Sequence, residues 1–175
     1  MCCSNFTIEN WLTIISLIFV LIGGGFALLQ FYSNVKIKRA KFINKILEKI
    51  RFDKDIVETM YIITYNEKEW YNDDFHNNKQ LEESVDKFFA YLDYICYLKL
   101  TRILFKQDFK IFKYIINRVC LCYSTQTYLW NLYNFSKKHN SECSFQNLVN
   151  YGINNKFFPK DFKTNITLYD KTLNW

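Results

Sequence analysis

The chain contains little glycine and almost no proline, with four Gly and one Pro in 175 residues. Because tight turns between strands depend on these residues, their scarcity argues against β-barrels and β-sandwiches. Beyond residue 35 the only glycine is Gly152. Neither G-x-x-x-x-G-K nor G-x-G-x-x-G can therefore occur in that part of the chain, which excludes P-loop and Rossmann-type phosphate binding there.

Signals for enzymatic chemistry are also missing. There is no G-x-S-x-G motif, and His76 and His139 are the only histidines. The acidic residues Glu82, Glu83 and Asp86 come at the start of a predicted helix, where acids usually complement the helix dipole. We therefore expect no enzyme activity and no cofactor, although an undetected hydrolase using one of the histidines stays an alternative hypothesis.

A metal site could be imagined from Cys120, Cys122, His139 and Cys143. The spacing argues against it, because Cys-x-Cys on a helix directs the two thiols about 200° apart. We interpret these cysteines as small buried apolar residues, reduced in a cytoplasmic environment. No metal is expected.

An uncharged apolar run extends from Trp11 to Tyr32. As a helix its 22 residues would span roughly 33 Å, enough to cross a hydrocarbon core of about 30 Å. Trp11 at one end and Tyr32 at the other suit the two membrane interfaces. We predict a transmembrane helix over residues 11–32.

Two other interpretations of this run are a buried core helix and a cleaved signal peptide. A length of 22 residues without charge is long for a core helix. Residues 1–10 carry no Lys or Arg, and no small-residue cleavage pattern follows the run, which argues against a signal peptide. Acylation of Cys2 and Cys3 has no supporting signal.

All 23 Lys and Arg residues follow position 35. The positive-inside rule therefore predicts a short extracytoplasmic N-terminus, residues 1–10, and a cytoplasmic C-terminal part in the cell inner membrane. Residues 35–54 alone carry the net charge of the whole chain, +6. We expect this basic juxtamembrane helix, residues 33–54, to contact anionic lipid. The predicted lipid contacts are Lys36, Lys38, Arg39, Lys41 and Lys45.

Small residues at spacings of seven and four lie on one side of the predicted span: Ser16, Gly23 and Ala27. Such a pattern lets a second helix approach closely and predicts a homo-oligomer. The alternative is that these residues only reflect the usual glycine content of transmembrane helices. Because the cations crowd beside the span, we consider nucleic acid an unlikely partner and favour membrane lipid and protein.

Helical periodicity recurs after the span, except in residues 66–80, which are polar and are expected to form a loop, and in the C-terminal tail. It predicts an all-α fold, with the transmembrane helix followed by a cytoplasmic four- to five-helix bundle over residues 55–152 and a C-terminal tail over 153–175. The clearest stripe is Leu81, Val85, Phe88, Leu92 and Ile95, on a helix predicted from Gln80 to Phe105. A further short helix is expected to stop at Gly152.

The segment from Phe88 to Arg118 includes Tyr91-Leu92-Asp93 and, where a turn is expected, Phe105-Lys106-Gln107. Together with the order of the parts, it resembles a broad family of uncharacterised small bacterial single-pass membrane proteins with a cytoplasmic helical domain. That family usually has a glycine in the turn, which is absent here. The resemblance implies a possible role in phage defence and no catalytic residues.

These observations favour a membrane-anchored protein-interaction or regulatory module at the inner face of the membrane. The alternative is a membrane-associated effector that acts by self-assembly through its transmembrane helix.

Overall fold

The structure, a computed structural model, describes residues 8–65 and 70–169. The chain divides into two compact units, with the boundary between Leu47 and Glu48. Cys2, Cys3, most of the predicted N-terminal segment (residues 1–7) and the end of the predicted tail (residues 170–175) lie outside the described residues.

The predicted all-α fold is confirmed. Across residues 8–65 and 70–169 there are six α-helices, one short 3-10 helix and no strand. The helices are α1 (Ile8–Phe52), α2 (Lys54–Tyr65), α3 (Lys79–Leu100), α4 (Lys106–Leu121), α5 (Tyr123–Lys138) and α6 (Gln146–Asn154), with the 3-10 helix at Phe75–Asn77.

Helix α1 is a single helix of 45 residues. The predicted span and nearly all of the predicted juxtamembrane segment lie on it without a break. It ends at Phe52, and Asp53 separates it from α2. The Asp53 carboxylate accepts a hydrogen bond from the Ile56 backbone N–H at 3.4 Å, so Asp53 caps the start of α2.

In the second unit, α3 is the central helix and packs against α2, α4, α6 and the 3-10 helix. Its first turn is capped by Asn78, whose side chain accepts from the Leu81 N–H at 3.2 Å. Four residues of the predicted stripe are fully buried: Val85, Phe88, Leu92 and Ile95. Burial of each such side chain contributes about 1.5–3 kcal/mol, which explains why this periodicity identified a helix correctly.

Three helices end on a residue in the left-handed backbone conformation. Arg102 (φ 60°), Asn140 (φ 52°) and Lys156 (φ 61°) follow α3, α5 and α6. Glycine usually occupies this position, because a side chain there costs about 1–2 kcal/mol. The helix predicted to reach Phe105 therefore ends at Leu100, and it ends without a glycine.

The prediction that the last short helix stops at Gly152 is wrong. Helix α6 continues through Gly152 to Asn154. A Cβ atom at Gly152 would lie 2.5 Å from the Phe158 ring, so the glycine makes room for that ring. The described part of the tail forms turns that pack against the bundle. Its Phe162 is fully buried, and the Asn165 carbonyl accepts a hydrogen bond from the Trp130 indole N–H at 2.9 Å.

Candidate functional site

The apolar segment of α1 is exposed on all sides. Every residue from 8 to 38 is exposed, and no part of its most apolar stretch is buried within the structure. Phe19 and Leu21, for example, retain 71% and 66% of their accessible surface. A core helix buries its apolar side chains, so this segment of α1 is not part of a core, whereas Ile46 and Ile50 near the end of α1 are buried. Helix α1 is long and apolar enough to cross a membrane.

The predicted packing residues Ser16, Gly23 and Ala27 all lie in this exposed segment, within about 40° of one another around the helix axis. The Ser16 hydroxyl donates to the Thr13 carbonyl at 2.9 Å, so its donor is satisfied inside the helix. A Cβ atom at Gly23 would meet no atom within 4 Å. The small-residue face of α1 is therefore sterically open.

The five predicted lipid contacts also lie on α1, after the apolar segment. At 100° per residue, Lys38, Lys41 and Lys45 point to one side of the helix and Lys36 and Arg39 to the other. Arg39 is half-buried and the other four are exposed. The cations thus surround the helix and do not form a single face.

A second positively charged feature lies in the helical unit and was missed by our reading of the sequence. The turn between α3 and α4, together with α4 and α6, encloses a cavity of about 590 Å³. Half of its lining residues are cationic: Lys99, Arg102, Lys106, Lys110 and Lys113. The others are Leu104, Phe105, Phe109, Tyr151 and Asn155. We call this cavity the cationic pocket.

The cationic pocket has no acidic residue in its lining. In the part of the chain that the structure describes, none of its five cations forms an ion pair with a carboxylate. The nearest acid in sequence, Asp108, lies on the other side of α4 and accepts a hydrogen bond from the Phe105 N–H at 3.2 Å. The positive potential of the pocket is therefore not cancelled by neighbouring side chains.

Lys99 is the deepest of these cations. Its Nζ lies 4.5 Å from the centre of the Phe109 ring and 4.5 Å from that of the Tyr151 ring. Burial lowers the pKa of Lys99 below its usual value, and the nearby charge of Lys113 lowers it further. A half-buried ammonium that lies against two rings and beside another cation gains most from an anion brought close to it.

The turn beside the pocket exposes large apolar side chains. Leu100, Ile103 and Phe105 retain 70%, 51% and 55% of their accessible surface. Leu100 lines a smaller cavity of about 260 Å³ that shares Lys99 and Arg102 with the cationic pocket. The mouth of the pocket thus combines exposed cations with exposed apolar groups.

One signal in the sequence indicates part of this pocket, the three lysines of α4. Lys106, Lys110 and Lys113 follow spacings of four and three, which place them on one face of α4. Charge summed along the chain does not show this cluster, because acids elsewhere cancel the three lysines. Charge summed by helix face does show it.

The histidine and the acidic residues that were candidates for catalysis pair with different residues and do not form one shared site. His76 Nδ1 lies 2.8 Å from Glu82 Oε1, and the Tyr128 hydroxyl donates to Asp86 at 2.5 Å. Glu83 faces Lys79 across 3.9 Å. Among the described residues no group of three or more His, Cys, Asp or Glu side chains is arranged to hold a metal ion.

Three of the four cysteines of the helical unit are buried. Cys96, Cys120 and Cys122 are buried and Cys143 is half-buried. Burial raises the pKa of Cys96 to about 12 and that of Cys143 to about 11, and it raises the pKa of Cys120 as well. The thiols of Cys96, Cys120 and Cys143 are therefore protonated at neutral pH, and it is the thiolate that reacts.

The fold and the exposed surface together describe an all-α protein. It has one long apolar helix that is able to cross a membrane and a helical unit that carries a cationic pocket. A scan against protein-family models, a search of curated proteins and a search of solved structures each found no match to this chain.

Proposed function

We propose that this protein is a single-pass membrane protein whose helical unit acts as a protein-interaction or regulatory module at the inner face of the membrane. The observation that carries the proposal is the exposed apolar segment of α1, which none of the residues that the structure describes covers. In water this much exposed apolar surface would be strongly unfavourable, whereas in lipid it is matched by acyl chains. The hydroxyls of Thr13 and Ser16 both donate to backbone carbonyls, as lipid requires.

Membrane insertion is tested by extraction of broken cells with alkaline carbonate followed by high-speed centrifugation. We expect the full chain to stay in the membrane pellet. Recovery in the supernatant would overturn the proposal.

The orientation is supported by the cations that follow the span, because Lys and Arg are retained on the cytoplasmic side. We expect a protease added to intact spheroplasts to leave a C-terminal tag untouched and to remove the tag only after lysis. Digestion before lysis would place the helical unit outside and contradict the proposed topology.

The lipid contacts proposed on α1 differ in their distance from the membrane. A rise of about 1.5 Å per residue places Lys36 to Arg39 about 6–10 Å beyond Tyr32 along the helix axis, and Lys45 about 20 Å beyond it. The headgroup layer is about 5–7 Å thick on each side. Lys36, Lys38 and Arg39 are therefore within reach of phosphate groups, whereas Lys41 and Lys45 reach them only when the helix tilts.

The second candidate function is an effector that acts by self-assembly through the span. The open face at Gly23 favours it, because none of the described residues occupies the space that a partner helix would need there. We expect Gly23→Leu to reduce cross-linked dimers and any toxicity on overexpression. Gly25→Leu is the matched control, since Gly25 lies about 200° away around the same helix. Equal effects of the two variants would count against assembly through this face.

A protein partner is tested by pull-down of the full tagged chain from mild detergent, with the two glycine variants run beside the natural sequence. Recovery of the untagged chain with the tagged one would support self-association. A different stoichiometric protein, retained equally by Gly23→Leu, would support the interaction module instead.

A further inference from the structure

We propose that the cationic pocket binds the phosphate group of an anionic phospholipid, while the exposed apolar side chains of the α3–α4 turn enter the membrane interface beside it. This inference rests on the proposed function in one respect, because the protein must be at a membrane for the lipid to be available. The pocket itself lies entirely within the helical unit.

The lining of the pocket matches the chemistry of a phosphate ester. Five cations surround a cavity whose lining has no carboxylate. Arg102 contributes a guanidinium, which can form two parallel hydrogen bonds to phosphate oxygens, and the lysines contribute ammonium groups. A volume of about 590 Å³ is in the range of cavities that hold organic ligands and exceeds what inorganic phosphate needs.

The position of Lys99 indicates where the phosphate lies. Its Nζ lies against both the Phe109 and Tyr151 rings, which contact each other. It makes no ion pair within the described residues. A phosphate beside Lys99 and Lys113 would offset the cost of keeping two cations close together in a half-buried site.

The apolar part of the site favours a lipid over a soluble phosphate. The floor includes Leu104 and Phe109, which are buried under the pocket. Phe105 also lines the pocket, and the turn beside it carries Leu100 and Ile103; each of these three side chains is more than half exposed. Exposed apolar side chains interleaved with Arg102 and Lys106 are typical of segments that lie in a membrane interface. Inorganic phosphate would gain nothing from these groups, whereas glycerol and acyl carbons would bury them.

Arg102 brings its cation to the pocket from a position where glycine is usual. Asn140 and Lys156 also occupy such positions, at helix ends outside the pocket. The left-handed backbone of Arg102 costs stability. Strained residues of this kind concentrate at ligand sites. Glycine at this position would relieve the strain and at the same time remove a phosphate ligand.

The test measures lipid binding by the full chain in non-ionic detergent, where the apolar segment of α1 is already covered. The probe is a short-chain fluorescent phosphatidylglycerol, followed by polarisation. The pocket variant is Arg102→Gly with Lys113→Gln. The matched control is Lys156→Gly with Lys160→Gln, which makes the same charge change and relieves a second left-handed residue outside the pocket.

Each cation near a headgroup contributes roughly a fivefold gain in lipid affinity, so two give about 25-fold. We expect the pocket variant to bind about 25-fold more weakly and the control to stay within about twofold. The cations on α1 are present in both and cancel from the comparison. Equal affinity of the two variants, at equal helix content by circular dichroism, would overturn the proposal.

Two further measurements distinguish a lipid phosphate from a soluble phosphate as the ligand. Inorganic phosphate and adenosine monophosphate are added as competitors, and short-chain phosphatidylcholine replaces the anionic probe. We expect neither soluble phosphate to displace the probe at millimolar concentration, and phosphatidylcholine to bind weakly. Displacement by a soluble phosphate at lower concentration than by unlabelled lipid would overturn the lipid assignment.

The apolar contribution is tested by Ile103→Ser with Phe105→Ser, which we expect to weaken binding of the lipid probe at least tenfold without removing a cation. Unchanged lipid affinity in this variant would also contradict the lipid assignment. Carbonate extraction reports anchoring separately. A chain that stays in the pellet but shows no difference between pocket and control variants would refute this inference and leave the proposed function standing.

Discussion

The carboxylate of Asp93, in the middle of α3, caps the first turn of α6. Its Oδ1 accepts a hydrogen bond from the Leu148 N–H at 2.8 Å, and its Oδ2 accepts one from the Asn147 side-chain amide at 2.9 Å. The residue at the usual capping position is Phe145, whose side chain has no acceptor. A distant acid therefore performs the role that a local Ser, Thr, Asp or Asn normally performs.

Loss of this distant cap should destabilise the helical unit. We expect Asp93→Ala to lower the free energy of unfolding by about 1–3 kcal/mol, because two bonds to a charged acceptor disappear and the Leu148 N–H loses its partner. Urea denaturation of the full chain in detergent, followed by circular dichroism, measures the change. Glu142→Ala removes an exposed acid as the control, and a similar loss there would show that net charge is responsible.

Gly152 should not tolerate a methyl group. Gly152→Ala places a Cβ atom 2.5 Å from the Phe158 ring, and we expect a loss of about 1–3 kcal/mol in unfolding free energy from this overpacking. Asn154→Ala on the same helix is exposed and should change stability by less than about 0.5 kcal/mol. Adding Phe158→Leu to Gly152→Ala should restore part of the loss. If the double variant is no better than Gly152→Ala, the ring contact is not the cause.

Glycine at the left-handed positions should stabilise the protein. Arg102→Gly and Lys156→Gly each remove a Cβ clash of about 1–2 kcal/mol, partly offset by the greater freedom of glycine in the unfolded chain. We expect a net gain of up to about 1 kcal/mol for each, measured by urea denaturation. Asn140→Gly should gain less, since Asn accepts this conformation more readily. A loss of stability in both cationic variants would show that these side chains make stabilising contacts.

The stability of the helical unit should depend on the titration of Lys99. Burial lowers the pKa of Lys99 below its usual value of 10.5. Between the lowered value and 10.5 the unfolded chain binds more protons than the folded one, so unfolding free energy rises with pH through this window. Below it, the charged and half-buried ammonium disfavours folding.

This dependence is isolated by comparing the natural sequence with Lys99→Met from pH 7 to pH 10.5. We expect the variant to be the more stable at pH 7 and its advantage to shrink as pH rises. The Cys96 thiol and Lys99 affect each other's pKa, so both proteins also carry Cys96→Ala, and groups that do not interact with Lys99 cancel from the difference. Lys160→Met is the control, and no pH-dependent difference is expected for it. A constant offset for Lys99→Met would mean that Lys99 keeps an ordinary pKa.

The helices of this protein follow from local patterns. The stripe from Val85 to Ile95 has the period of a helix, and burial of that stripe fixes α3. Likewise, the uncharged run from Trp11 to Tyr32 forms a helix in lipid, because a helix satisfies all of its backbone hydrogen bonds within the run. Such features could be predicted because the information lies within a few turns of chain.

Helix ends and the cationic pocket could not be predicted in this way. The sequence suggests that the last helix ends at Gly152. In the structure the helix continues, and Gly152 leaves space for the ring of Phe158, six residues later. Arg102 ends α3 although nothing in its residue type indicates a left-handed backbone. The cap on α6 comes from Asp93, more than 50 residues away in the chain.

The amino-acid sequence alone determined the helical class and the apolar segment that suits a membrane, because both depend on the period and length of hydrophobic runs. Only the tertiary structure decided that Lys99, Arg102 and three lysines of α4 share one cavity with two aromatic rings. Charge summed along a chain hides such a site, whereas the electrostatic potential of a pocket depends on which side chains the fold brings within a few ångströms of one another.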